Sequence, residues 1–371
     1  MAEKSFSRGW KGHAATSFFI AMSLIALKEM RLSDVALSVS KPMEDVVTTR
    51  KFPNNDQLLR TKYTGIASLD YGLGFLVAAF LPGASGWDMN AYVQQIYFLV
   101  SFFSIISISS IEAGRKGNAS SFIKWTSIWA VFYQTVGGAV VIPLWYLLFF
   151  MASAKESSWT PASRLVDTAY AKALLPSLVL GYLVPTVAMY IPFSDPGLHI
   201  HQALIASWQL CPLYVNILLV GISTLIRKNE PAVSVNKSQT SLKHLHRVYI
   251  VNFIACAAVH VITMALCIST KIPQINFVHS LIRLPPVDRL TMLGSLHYIF
   301  QVDGLIILGS ALAAAWGVIW DLKHFGKAEV STVEVAIQMT FSTVLFGPAA
   351  TVSGVWLLRE HLFAEKDVKK A

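Results

Sequence analysis

The chain has 371 residues, of which 54% are hydrophobic and only 14% charged, with a formal net charge of +9 and a mean hydropathy of +0.53. A soluble domain carries about a quarter of its residues as charged groups, so this composition excludes an ordinary water-soluble enzyme. The surplus of Lys and Arg lies between apolar runs, where loops and anionic head groups account for it and nucleic acid is not needed.

A helix of about 20 apolar residues spans the hydrocarbon core of a bilayer. Eight stretches meet or approach that length, at 66–82, 92–111, 125–151, 173–193, 203–226, 248–270, 298–320 and 333–357. They predict an all-α, polytopic transmembrane helical bundle of about eight spans. Residues 1–64 form an N-terminal segment. Within it, 14–27 is a short apolar stretch between Lys11 and Lys28, read as an anchor or interfacial helix. Residues 65–357 make the bundle, and 358–371 a basic tail carrying Arg359, Lys366, Lys369 and Lys370. The loop 271–297 contains Pro273, Pro285 and Pro286 and is expected to be irregular.

Sidedness does not follow from charge. Segments 113–121 and 227–247 are both basic, yet three spans between residues 121 and 227 would put them on opposite sides. Either one apolar run is re-entrant or the charge bias is weak. Pro143, Pro185, Pro212 and Pro348 fall inside spans. Such prolines free a carbonyl and kink the helix, and neighbours or water re-satisfy it. With Gly137 and Gly138 they suggest a bundle opening around a cavity.

Several motifs are missing. There is no phosphate-binding Gly-rich loop with Lys, no nucleophile elbow and no His-Glu-x-x-His metal helix. The Asp-rich metal–diphosphate motif of soluble terpene synthases is also absent. The pairs His199/His201 and His244/His246 have strand-like spacing in expected loops and lack neighbouring ligands, so no metal and no cofactor is expected. Cys211, Cys256 and Cys267 lie within apolar runs and read as packing residues. Two glycosylation sequons, at Asn118 and Asn236, are what chance supplies in a chain of this length.

Ionisable residues at membrane depth are costly and tend to mark functional paths. Asp70 lies in the first run, Glu112 ends the second, Asp303 begins the seventh and Glu334 begins the eighth. A helix-end charge reaching back to water accounts for Glu334 and accounts least for Asp70. Gln94, Ser101 and Glu112 share one helix face, as do Asn252, Cys256 and His260, and Gln209 lies near the side of Asn216. Interhelical hydrogen bonding explains amides and Ser; a carboxylate and an imidazole favour a polar pocket instead. Tyr133, Trp145, Tyr146, Tyr182, Trp208 and Tyr214 also lie within spans. Turned inward, such rings offer their negative faces to a developing cation. An aromatic cavity with one protonated carboxyl suits acid-initiated cyclisation of a polyprenyl chain, because a carboxyl in apolar surroundings keeps its proton.

The segments LDYGLGFLVAAFLPG, FYQTVGGAVVIPLWYLLF, ALLPSLVLGYLVPTVAMYIPF and HQALIASWQLCPLYVNILL resemble a group of fungal membrane-bound terpene cyclases of meroterpenoid pathways, the ascofuranone-type cyclases. The likeness covers residues 65–226 and extends more weakly to 357. It implies metal-independent cyclisation of an epoxidised, or epoxide-derived, farnesyl chain on an aromatic polyketide, in a fungal endoplasmic reticulum membrane. The acidic pair of the shorter fungal cyclases does not align here. On physical grounds Asp70 is the expected proton donor, with Glu112 or Asp303 as partner. Gln134, Tyr133, Trp208, Gln209, Asn216 and His260 are the expected lining. A transporter of an apolar metabolite, a sterol-isomerase-like enzyme and a subunit without chemistry are the competing readings. The expected partners are a prenylated hydrophobic substrate and the bilayer.

Overall fold

The structure is a computed structural model that describes residues 7–229, 237–269, 272–282 and 291–368. Helices account for most of it. Among the described residues the only strand-like pairings are two isolated bridges, Lys51 with Leu58 and Arg115 with Val166. In chain order the main helices are α1 (Gly9–Leu27), α2 (Asp34–Thr49), α3 (Ala67–Ala84), α4 (Met89–Ala113), α5 (Thr126–Thr135) and α6 (Gly138–Ala152). They continue with α7 (Thr168–Ala188), which contains a π-helical turn at Val179–Leu183, then α8 (His199–Trp208) and α9 (Cys211–Asn229). The last four are α10 (Lys237–Ile268), α11 (Met292–His324), α12 (Thr332–Phe346) and α13 (Pro348–Val368).

Local chemistry explains where several helices start. Asp88, Asp167, Thr291 and Ser331 each accept a backbone N–H of the first turn, capping α4, α7, α11 and α12. Each cap satisfies a donor that a helix start otherwise leaves open. The loop before α11 ends earlier than expected, because Thr291 starts the helix; Pro285 and Pro286 lie outside the described residues.

All eight expected apolar runs are helical. Six helices are long and apolar enough to cross a membrane: α3, α4, α7, α9, α10 and α11. Two shorter apolar ones, α6 and α12, join them. The chain is thus an all-α polytopic bundle with about eight membrane-embedded runs.

Three of those runs are broken midway, and two of the breaks turn the chain around. Arg115, just past the end of α4, bonds the carbonyl of Arg164 and the carboxylate of Glu360, and Lys116 N–H bonds the Leu165 carbonyl. Segments 113–121 and 153–167 therefore meet at one end of the bundle, here called the basic end. The run 125–151 leaves that end as α5, turns at Gly137 and returns as α6: it is a re-entrant hairpin. Arg227, at the end of α9, reaches Asp167 at 3.0 Å and so belongs to the same end. The conflict over segments 113–121 and 227–247 is resolved by this hairpin, since two full crossings, not three, separate them.

The run 333–357 behaves likewise. Thr332, which opens α12, accepts from the Trp316 indole at 3.2 Å, while Arg359 of α13 pairs with Glu112 at 2.6 Å. The turn between α12 and α13 is at Gly347. Gly137 has φ of 119° and Gly347 of 86°, conformations that side-chain-bearing residues rarely adopt. The remaining break, second in chain order, at Gln209 and Leu210 between α8 and α9, does not reverse the chain.

Prolines mark two of these breaks: Pro348 opens α13 and Pro212 is the second residue of α9, whereas Pro185 follows the π-helical turn within α7 and Pro143 stays in the interior of α6. A proline lacks the N–H that a helix start leaves unpaired, so it fits best just after a break. The His pairs prove helical, in α8 and α10, because the flanking apolar periodicity carries through them. Lys369, Lys370 and the sequon at Asn236 lie outside the described residues.

Candidate active site

A backbone break at membrane depth leaves amides and carbonyls that lipid cannot hydrate. At each break a polar side chain from elsewhere in the chain supplies the partner. At the first turn, Asp303 of α11 accepts the Ala139 N–H through Oδ1 at 2.5 Å, and Arg31 donates to the Val136 carbonyl at 2.8 Å. The carboxyl meets the N-terminus of α6, where it accepts an open N–H, and the guanidinium meets the C-terminus of α5, where it donates to an open carbonyl. At the second break Gln134 donates to the Gln209 carbonyl at 3.1 Å. At the third, His260 Nε2 donates to the Val344 carbonyl at 3.1 Å, a role fixed because a carbonyl only accepts.

The first two breaks open onto one cavity of about 620 Å³. Residues of α2, α3, α4, α5, α8 and α11 line it, and Gly137 and Gly138 lie in its wall. Asp303 is the single carboxyl among its described lining residues, and Arg31 the single guanidinium. Its aromatic wall consists of Tyr71, Phe75, Phe80, Phe98, Phe102, Tyr133, Trp208 and Phe300. Phe80 meets Phe300 edge-on with centroids 4.8 Å apart and lies 5.3 Å from Trp208; Phe102 meets Tyr133 edge-on at 5.4 Å. The Trp208 indole is held by Thr186 Oγ1 at 2.9 Å, which fixes the ring in place. Gln209 is 6% exposed, and neither atom of its side-chain amide has a partner among the described residues.

Of the residues expected from sequence, Asp303, Tyr133, Gln134, Trp208 and Gln209 come together here. The others are elsewhere. Both carboxylate oxygens of Asp70 are occupied: they accept from the backbone N–H groups of Tyr63, Thr64 and Gly65 and from the Thr64 hydroxyl, at 2.6–3.2 Å. Asp70 thereby ties the 63–65 turn to the start of α3 and does not line the cavity. Glu112 lies at the basic end, accepting from Arg115 at 2.9 Å and from Arg359 at 2.6 Å within a cluster that includes Glu360. Charges buried this deeply persist only when paired, and the pairing accounts for Glu112. Asn216 accepts from Thr126 at 2.7 Å, joining α9 to α5. Asn252 accepts from Ser107, and Cys256 and His260 face α4 beside it, so that polar stripe joins α10 to α4.

Sequence reading missed Arg31, Phe80, Phe98, Phe102 and Phe300. Phe98 and Phe102 continue the Gln94 face at i+4 and i+8, a signal present in the sequence. Arg31 carried none, since a basic residue in a polar segment looks like any loop cation.

A family model described as the CtvD domain matches residues 17–364. The chain is 26% identical to "Terpene cyclase ctvD" of Aspergillus terreus over 354 residues, covering 93% of this chain and 97% of that one. It is 27% identical to "Terpene cyclase ascI" of Acremonium egyptiacum over 208 residues, 55% of this chain and 53% of that one. A third relative, "FAD-dependent monooxygenase verC1" of Penicillium polonicum, is 25% identical over 79% of this chain, which corresponds to 35% of that protein. No solved structure matches the chain. With its helical bundle and aromatic cavity, the chain belongs to the CtvD-domain family and stands among its terpene cyclases.

Proposed function

We propose that the chain cyclises an epoxidised farnesyl-aryl meroterpenoid without a metal, in the endoplasmic reticulum membrane of a fungus, with Asp303 as proton donor. The observation that carries this reading is a carboxyl, single among the described lining residues of an aromatic cavity, with one oxygen anchored to Ala139 N–H. Its other oxygen is left to present a proton. Protonation of the epoxide oxygen breaks a C–O bond as the neighbouring alkene attacks the carbon, forming a C–C bond and a hydroxyl. The cation moves along the chain and is discharged when a neighbouring carbon gives up a proton, so substrate and product are isomers. Phe80, Trp208 and Phe300 offer ring faces to that charge, at about 0.5–2 kcal/mol each. The free Gln209 amide is placed to orient a polar substituent. A relative named as an FAD-dependent monooxygenase supports the reading, since an epoxide is a product of that chemistry.

Microsomes containing the chain, given an epoxyfarnesyl-aryl substrate, should yield a cyclic isomer, and those with Asp303→Asn should not. Unchanged cyclisation by the Asn variant would overturn Asp303 as the acid. The two re-entrant hairpins favour one other reading, a carrier, because broken helices at membrane depth also build transport sites. Uptake of unaltered substrate into vesicles would decide for it.

A further inference from the structure

The two hairpins settle which segments share an end, and the charges divide unevenly between those ends. Arg8, just before α1, bonds Asp321 at 2.7 Å and the Phe150 carbonyl at 2.8 Å, so the start of α1 and the end of α11 join the basic end. The Ser241 hydroxyl donates to the Val166 carbonyl at 2.9 Å, which brings the start of α10 there too. At this end the carboxylates of Asp321, Glu112, Glu360 and Asp167 are already taken by arginines. Lys116, Lys228, Lys243, Arg247 and Lys323 stand exposed around them, and none pairs with a carboxylate among the described residues. The other exposed acids here are fewer: Glu156, Glu329 and Glu334. The opposite end holds Gly197, between α7 and α9, and the segment 50–66, since Gln57 donates to the Gly197 carbonyl at 2.8 Å. There cations and acids are mixed. Lys28 pairs with Glu29 at 3.6 Å and Lys51 with Asp56 at 3.0 Å, while Lys41 shares α2 with Asp34, Glu44 and Asp45.

Exposed Lys and Arg close to membrane spans are kept on the cytoplasmic side, where the leaflet carries anionic lipid. We infer that the basic end docks on the anionic head groups of the cytoplasmic leaflet, which places the aromatic cavity in the opposite leaflet. Asp303 precedes Asp321 along α11 by about 27 Å, nearly the thickness of the hydrocarbon core. Arg31, in the same cavity wall, follows α1 after that helix has crossed from Arg8. Tyr71 and Phe75 line the cavity yet are 58% and 38% exposed, so they mark its mouth. An apolar ligand then enters sideways, from lipid of the non-cytoplasmic leaflet. This orientation does not depend on the cyclase reading.

Ala162 is exposed at the basic end and Asn54 at the other, and the natural cysteines are buried or half-buried. Sealed microsomes with their cytoplasmic face outward should be treated with a membrane-impermeant maleimide. Ala162→Cys should react directly and Asn54→Cys only after detergent opens the vesicles, each read as a mass shift above that of the parent. Labelling of Asn54→Cys before detergent, or of Ala162→Cys only after it, would overturn the orientation. The lipid contact has its own test, in phosphatidylcholine nanodiscs with and without phosphatidylserine. Phosphatidylserine should raise the Tm of the parent. The triple variant Lys116→Gln, Lys243→Gln, Arg247→Gln should lose about half of that rise, since each cation near the surface adds to the attraction. An equal rise in both proteins, or none in the parent, would overturn the docking face.

Discussion

The two re-entrant hairpins enter from the same end, turn on a glycine of positive φ and resume on a helix whose start lies just beyond. Their tips differ in what the rest of the protein presents to them. The Gly137 tip meets a carboxyl and a guanidinium at the edge of an aromatic cavity. The Gly347 tip meets an imidazole whose two nitrogens are both engaged, one by Val344 and one by Tyr97. The same backbone solution thus frames a group that still has an oxygen free and a group with nothing left to give. On the proposed reading, the first is the proton donor.

The largest test of this contrast exchanges the groups at the tips. Asp303→Asn keeps an acceptor for Ala139 but removes the proton, and should lower cyclisation by about 10³-fold, within the range of general-acid losses. His260→Asn should leave turnover within tenfold of the parent, measured as product formed per mole of protein. Comparable losses in both would break the distinction between the tips.

The glycines come next. Gly347→Ala places a Cβ 2.7–2.9 Å from the His260 ring and adds strain at positive φ. It should lower stability by about 1–3 kcal/mol, read as a fall in Tm. Gly138→Ala would crowd Ile307 at 2.6 Å and the Asp303 carboxylate at 3.3 Å. Its expected signature is lost turnover with a smaller fall in Tm, because Ile307 ends in a movable methyl. If the two variants showed the same ratio of activity loss to Tm loss, the tips would be equivalent scaffolds.

A smaller effect is expected from the aromatic wall, which belongs to one tip only. Trp208→Leu removes a ring face and the indole's bond to Thr186. It should slow cyclisation by roughly 2- to 30-fold, the equivalent of about 0.5–2 kcal/mol, and raise the share of partly cyclised products. Trp145→Leu, in a ring packed on Tyr146 and Phe149 away from the cavity, should leave the product distribution unchanged. The same shift in both variants would assign it to packing instead of cation stabilisation.

The apolar runs were legible because their length and lack of charge force helices: in lipid every backbone group must be paired within its own segment. The paired glycine at 137–138 and the prolines near 212 and 348 also announced irregular backbone. Their meaning was not legible, since one Pro or Gly signals a kink and a reversal alike. The basic segments at 113–121 and 227–247 held the deciding clue, and a re-entrant run was one of two answers to it. The eighth run offered no such clue.

The site divides in the same way. Tyr133, Gln134, Trp208 and Gln209, which line the cavity, were conspicuous because polar and aromatic residues inside apolar runs are few. Among the carboxyls, residue type and depth favoured Asp70, and nothing in the sequence shows that three backbone amides already occupy it. Glu112 was likewise indistinguishable from a catalytic acid until its cations, Arg115 and Arg359, were seen around it. By itself the sequence determined that this chain is helical and lies in a membrane, because composition and run length decide what can leave water. Which carboxyl faces the aromatic cavity was decided by tertiary structure. Asp303 and Ala139 are 164 residues apart in the chain, and only the packing of α11 against the first hairpin brings the acid to the place where an unpaired N–H needs it.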